Sequence, residues 1–297
     1  MILKSSFGVL LQWLGASIAF LVSLMISNLL SPLPQFITEK APEAGFLSMP
    51  LAMLLNGLVN GAILLWASRR SSFKRLALFG QLLALSFGAQ VFQTQVETGY
   101  FLYAFPLLQG NFELYRLILR GLITSVIFVL LVMLITGRFS RKPAPASNFS
   151  VNTDLAIKHS AWLAVIYFAL YLWFGYYVAW QSQELRMFYD GTTELKSFVA
   201  QWLTTFMSKP EIPVFQYFRG ILWILCLVPL FKGFSGKRVE LIVFSGLALG
   251  LLPTAQLAFP NPLMPAGVSL AHFWEVSIST GVFGALCAWF IPTEINQ

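Results

Sequence analysis

Residues 50–96 read PLAMLLNGLVNGAILLWASRRSSFKRLALFGQLLALSFGAQVFQTQV. Two apolar runs, 50–68 and 76–96, flank a short gap that holds Arg69, Arg70, Lys74 and Arg75. A helix rises 1.5 Å per residue, so about 20 apolar residues cross the roughly 30 Å hydrocarbon core of a bilayer. Each run has that length, and the basic gap is too short to be a domain. The pattern extends in both directions. Apolar runs recur at about 8–30, 113–136, 161–181, 213–231, 239–259 and 271–291. The expected fold is an all-α integral membrane protein with eight transmembrane helices.

Composition agrees. Only 10% of the residues are charged and 57% are apolar, too little charge to cover a soluble domain of this length. The net charge of +7 sits in short gaps beside the spans, so it reads as topology and not as a nucleic-acid surface. The gap after span 2 is basic, the gap after span 4 holds Arg138, Arg141, Lys142 and Lys158, and the gap after span 6 holds Lys232, Lys237 and Arg238. The alternate gaps hold only Lys40 after span 1, none after spans 3 and 7, and Arg186, Lys196 and Lys209 in the long gap after span 5. Lys and Arg in short loops mark the cytoplasmic side. Both termini are therefore expected in the cytoplasm, with the chain in the plasma (inner) membrane. The first run, from about Phe7 to Leu30, lacks a small-x-small cleavage pattern and reads as a retained span. Cys226 and Cys287 fall inside spans and read as packing residues.

The halves look related. At an offset of 163 residues, Pro50 meets Pro213, Gly57 meets Gly220, Leu64 meets Leu227, Ser72 meets Ser235, Lys74-Arg75 meets Lys237-Arg238, and Leu78 meets Leu241. This suggests a tandem 4+4 internal repeat: residues 1–142, a cytoplasmic linker at 143–160, and residues 161–297. Four spans per half give both halves one orientation, related by an axis along the membrane normal. The linker is rich in Pro, Ala, Ser and Asn, and Asp154 and His159 within it read as solvated. In the outer gap, Leu195, Phe198, Val199, Trp202, Leu203 and Phe206 recur at helical spacing. They suggest a helix lying on the outer interface or packed over the bundle mouth. Gly15, Gly57, Gly61, Gly281 and Gly284 read as close-packing positions, and Pro253 as a kink.

Ionisable groups inside spans are costly and are functional candidates. They are Glu113, Arg116 and Arg120 in span 4, Arg219 in span 6, and His272 and Glu275 in span 8, with Glu97 where span 3 ends. All lie within about 12 Å of the outer end of their helix. This one-sidedness points to a polar vestibule open to the outside, not a charged path across the bilayer. Gln90, Gln93 and Glu97 form a polar stripe on span 3, and Asn56 and Asn60 a pair on span 2; such stripes glue helices together or line a cavity. His272 and Glu275 share a helix face and with Glu97 offer three donors for a metal ion. Against this, two histidines in the whole chain supply few nitrogen ligands. Arg116, Arg120 and Arg219 offer a clamp for a small anion or lipid headgroup, or counter-charges for Glu97, Glu113 and Glu275.

The run Phe218-Arg219-Gly220 in an eight-span chain resembles the first motif of the intramembrane CAAX-type proteases. In that family paired glutamates precede the motif; here Val214, Phe215, Gln216 and Tyr217 stand there, and the later histidine motifs are unmatched apart from His272. Three function classes follow. The first is a transporter, flippase or binding protein with an outward-facing cavity. The second is an outer-leaflet membrane enzyme, metal-dependent if His272, Glu275 and Glu97 converge, acting on a lipid or lipid-linked substrate. The third is an accessory subunit whose polar residues only hold the bundle together.

Overall fold

The computed structural model describes residues 2–33, 39, 45–108, 113–139 and 146–295, with side chains from residue 7 onward. Eight helices among them are long and apolar enough to cross a membrane, which makes the chain a multi-pass membrane protein. Helices suit this environment because each satisfies its own backbone hydrogen bonds away from water. The spanning helices are α1 (Ile2–Leu30), α2 (Met49–Arg70), α3 (Arg75–Tyr100), α4 (Glu113–Ile135), α5 (Thr153–Tyr177), α8 (Ile212–Gly233), α9 (Arg238–Ala255) and α10 (Ala266–Phe290). Two short helices, α6 (Gln183–Asp190) and α7 (Phe198–Ser208), fill the long gap between α5 and α8. Leu14, Ile18, Leu130, Val165, Leu225 and Ile278 are exposed along the spans, a belt that suits lipid and not water.

Local signals set the boundaries. Proline stands in the first turn of both α2 and α8, where its missing N–H costs nothing. Asn152, Ser182 and Ser197 accept hydrogen bonds from Leu155, Leu185 and Ala200 and cap α5, α6 and α7. Gly191, at φ 67°, ends α6 in the left-handed region. Within α3, residues Ala84–Phe92 widen into π-helical turns.

Small residues bring helices together. A Cβ at Gly61 would stand 2.7 Å from the Ser17 backbone nitrogen, and one at Gly220 3.1 Å from the Ala164 Cα. A Cβ at Gly284 would collide with the Ser245 carbonyl oxygen. These contacts join α2 to α1, α8 to α5, and α10 to α9. Gly15 meets only Ile135, at ordinary contact distance. Trp223, Phe128, Phe231, Phe234, Phe244 and Phe283 are fully buried and fill the core.

The loops that join α2 to α3 and α8 to α9 meet at the basic end of the bundle. Ser71 and Phe234 form an antiparallel bridge. The Ser72 N–H donates to the Gly233 carbonyl at 2.7 Å, and the Ser235 N–H to the Arg70 carbonyl at 2.8 Å. Arg138 donates to the carbonyls of Ser71 and Phe73 at 2.6 and 2.8 Å. Asn148 donates to those of Phe234 and Gly236 at 3.0 and 3.1 Å. Arg70 and Trp66 both bind the Glu240 carboxylate.

Helix α5 begins at Thr153, inside the segment expected to be a linker. Just before it, Phe149–Ser150 (β1) pairs antiparallel with Thr293–Glu294 (β2), and Phe149 is buried against Phe234. Asp154 is exposed as expected. His159 is half-buried between Trp162 and Phe290, because the helix that carries it packs on α10. Arg141 and Lys142 lie outside the described residues.

Candidate functional site

Four of the expected residues converge at the end of the bundle away from the basic loops. Arg219 on α8 is buried and grips Glu97 on α3 with two parallel hydrogen bonds, Nη1 to Oε1 and Nη2 to Oε2, each 2.7 Å. The planar guanidinium matches the carboxylate edge to edge, the strongest form of such a pair. The Arg219 guanidinium also lies 5.8 Å from the centre of the Trp223 ring. On α10, the His272 Nδ1 stands 3.5 Å from Glu275 Oε2, as their spacing of three residues predicts. The His272 Nε2 lies 3.1 Å from the Tyr189 hydroxyl of α6. A proton on Nδ1 serves Glu275 and leaves Nε2 to accept from Tyr189. Burial pushes the Tyr189 hydroxyl far above its ordinary range, and the charge of Glu97 adds to this, so it remains a neutral donor.

Two adjoining cavities share this wall. One, of about 90 Å³, is lined by Glu97, Tyr171, Trp180, Tyr189, Trp202, His272 and Glu275 among others. The second, of about 60 Å³, shares Glu97, Phe101, Tyr189 and His272 and adds Thr94, Arg219, Trp223 and Met264. The short helices cover the first: Tyr189 comes from α6, Gln201, Trp202 and Thr205 from α7, and Lys209 follows α7. The indole nitrogens of Trp180 and Trp202 are buried with no hydrogen-bond partner. Two desolvated donors on one cavity wall are a cost that a ligand oxygen or a water would relieve.

The other expected residues lie elsewhere. Gln90 and Arg120 line a separate cavity of about 190 Å³ between α1, α2, α3 and α4, together with Asn56, Gln95, Thr124, Ser125 and Gln256. Gln93 is fully buried and lines none of these three cavities. The expected single stripe of Gln90, Gln93 and Glu97 is thus divided. Gln90 lies in the π-helical turns, whose wider i→i+5 spacing breaks the stacking of residues three and four apart. Glu113 is buried 3.9 Å from the exposed Arg116, apart from both sites. Asn56 donates to the Ala52 carbonyl and to the Ala255 carbonyl of α9, so it joins helices as well as lining a cavity.

The metal reading needs three donors together. Glu97 gives both carboxylate oxygens to Arg219. Among the described residues, no three His, Cys, Asp or Glu side chains are placed to hold a metal ion.

Sequence reasoning missed the aromatic wall. Trp180 comes from the end of span 5, and Tyr189 and Trp202 from the gap between spans 5 and 6, read only as a loop with one helix. The available signal was Arg186. It is buried and donates to the carbonyls of Trp180 and Thr193, which fastens α6 in place. Helix α7 packs inward through Trp202 and Phe206, while Val199, Leu203 and Met207 are exposed. One face therefore covers the cavity as the other faces outward.

No family model, no curated protein and no solved structure matches this chain.

Proposed function

We propose that this protein binds a small polar ligand or a lipid headgroup in the cavity beside Glu97 and Arg219, and acts as a carrier or flippase for it. The observation that carries this reading is convergence. Glu97, Arg219, His272 and Glu275 come from three helices and line two adjoining cavities that share Glu97, Tyr189 and His272. A bundle that needed these groups only for adhesion has no use for a cavity between them, or for unpartnered indole donors on its wall. We place this space on the outer side of the plasma membrane with both termini inside, because Arg69, Arg70, Arg75, Arg138 and Arg238 sit at the opposite end.

The tandem repeat belongs to the same proposal. Helices α2 and α8 begin and end at positions 163 residues apart, Met49 with Ile212 and Arg70 with Gly233. The hydrogen bonds Ser72 to Gly233 and Ser235 to Arg70 exchange places under the same offset. Ser71 and Phe234, which bridge, are each other's counterpart. The reciprocal pattern supports a two-fold axis along the membrane normal through this bridge. A carrier cycle would open the bundle by moving one half against the other there.

A second reading, an outer-leaflet enzyme, draws on one observation: the chain Tyr189, His272, Glu275 is the arrangement of a general base held by a carboxylate. Ligand binding separates these readings from a purely structural role. The purified chain should show tryptophan fluorescence that responds to its ligand in a screen of amino acids, amines, phosphate esters and short-chain lipids. Trp202→Phe should diminish the response and Glu275→Gln should weaken the affinity. A response equal in all three proteins would contradict the proposal.

A further inference from the structure

The cavity in the first half carries a different chemistry. Arg120 enters it from α4, about two turns from the helix start at Glu113. Among the described residues it has no ion pair or hydrogen bond through its guanidinium. Among the described residues, no acidic side chain lines the cavity. Opposite, Asn56 is fully buried, and its amide nitrogen is spent on two backbone carbonyls. The Asn56 Oδ1 that remains is an unpartnered acceptor, and so is the Gln95 Oε1 on the same wall. An unpaired cation beside unpartnered acceptors in a membrane span defines its complement. The ligand must bear a negative oxygen for Arg120 and a hydroxyl donor for Asn56 or Gln95.

We propose that this cavity is a second binding site, for a hydroxyl-bearing phosphate group. Hydrogen phosphate and a glycerophosphate lipid headgroup share that chemistry. The site lies apart from Glu97 and does not depend on the function proposed above.

The full chain, purified in a neutral detergent, would be titrated with inorganic phosphate, with short-chain phosphatidylglycerol and with short-chain phosphatidylcholine, and binding read by native mass spectrometry. One equivalent of phosphate bound identifies a free-anion site. Phosphatidylglycerol bound without free phosphate identifies a headgroup site that also needs acyl chains. In either case Arg120→Gln should weaken binding about tenfold or more, the loss expected for a charge-assisted hydrogen bond. Gln95→Glu, which removes no contact but sets a carboxylate in the same cavity, should weaken it similarly and guards against a folding defect in the first variant. Arg116→Gln should bind as the unsubstituted protein does. Binding unchanged in both Arg120→Gln and Gln95→Glu, equal binding of phosphatidylcholine, or no binding of phosphate or phosphatidylglycerol would overturn the proposal.

Discussion

The two halves of the proposed repeat hold cavities that differ in charge. The first-half cavity draws on α1 to α4 and the end of α9, while the second-half cavities draw between them on α5 to α10 and the end of α3. Glu97 and Thr94 of α3 reach into the second-half cavities, and Gln256, just past α9, reaches into the first-half cavity. Where the second half has Arg219, the first has Asn56; where it has Trp223, the first has Asn60. The borrowed residue decides the difference. Glu97 neutralises Arg219, whereas Gln256 brings no charge to Arg120. One cavity thus has a built-in ion pair and the other a bare cation. The pair can hold a site together without a ligand; the bare cation lacks a counter-charge of its own.

This contrast can be broken by substitution. The largest effect is expected at the pair. Arg219→Leu strands the Glu97 charge and should cost about 3 kcal/mol of stability, much of it recovered when Glu97→Leu is added. Thermal melting of the two single variants and the double variant in detergent measures this. A milder loss is expected from Tyr189→Phe. It removes the bond to His272 and should cost about 1 kcal/mol, with a larger effect on ligand affinity than on melting. Arg120→Gln should change stability by no more than about 0.5 kcal/mol in the absence of ligand, since no partner among the described residues is lost. A loss there comparable to Arg219→Leu would erase the distinction between the two cavities.

The smallest effect concerns the edge of the second half. Glu211 accepts from its own backbone N–H and from the Tyr100 hydroxyl, which hold its carboxyl below the usual 4.5. A depressed carboxyl stabilises the fold above the unfolded value and ceases to do so as pH falls through the folded one. The melting difference between the unsubstituted protein and Tyr100→Phe should therefore be full at neutral pH and shrink below pH 4.5. Melting curves across that range check the sign.

Much of the fold was legible because bilayer crossing imposes a length and an apolar content that few other constraints imitate. All eight apolar runs became helices near their expected bounds, and Gly57, Gly61, Gly281 and Gly284 pack closely. The start of α5 was not legible, because the burial of Phe149 just before it depends on Phe234, more than 80 residues away, even though its cap at Asn152 is local. At the site, Glu97, Arg219, His272 and Glu275 stood out because ions inside spans are rare. Whether two such groups share a cavity depends on helix rotation, which charge alone does not fix. The π-helical turns in α3 separated Gln90 from Glu97, and no residue in Ala84–Phe92 announces them. Tyr189 and Trp202 were missed because aromatic residues outside spans resemble ordinary interfacial anchors.

The central claim is that Glu97, Arg219, His272 and Glu275 enclose a hydrated space open on the side away from the basic loops. The most direct test places a cysteine at His272 in a background carrying Cys226→Ala and Cys287→Ala. A membrane-impermeant thiol reagent is then applied to each face of oriented membranes, with Leu227→Cys as the buried control. The account predicts rapid labelling of His272→Cys from the face opposite Arg69 and Arg238, and none of Leu227→Cys. A His272→Cys that stays unlabelled from both faces, or reacts from the basic face, would contradict it.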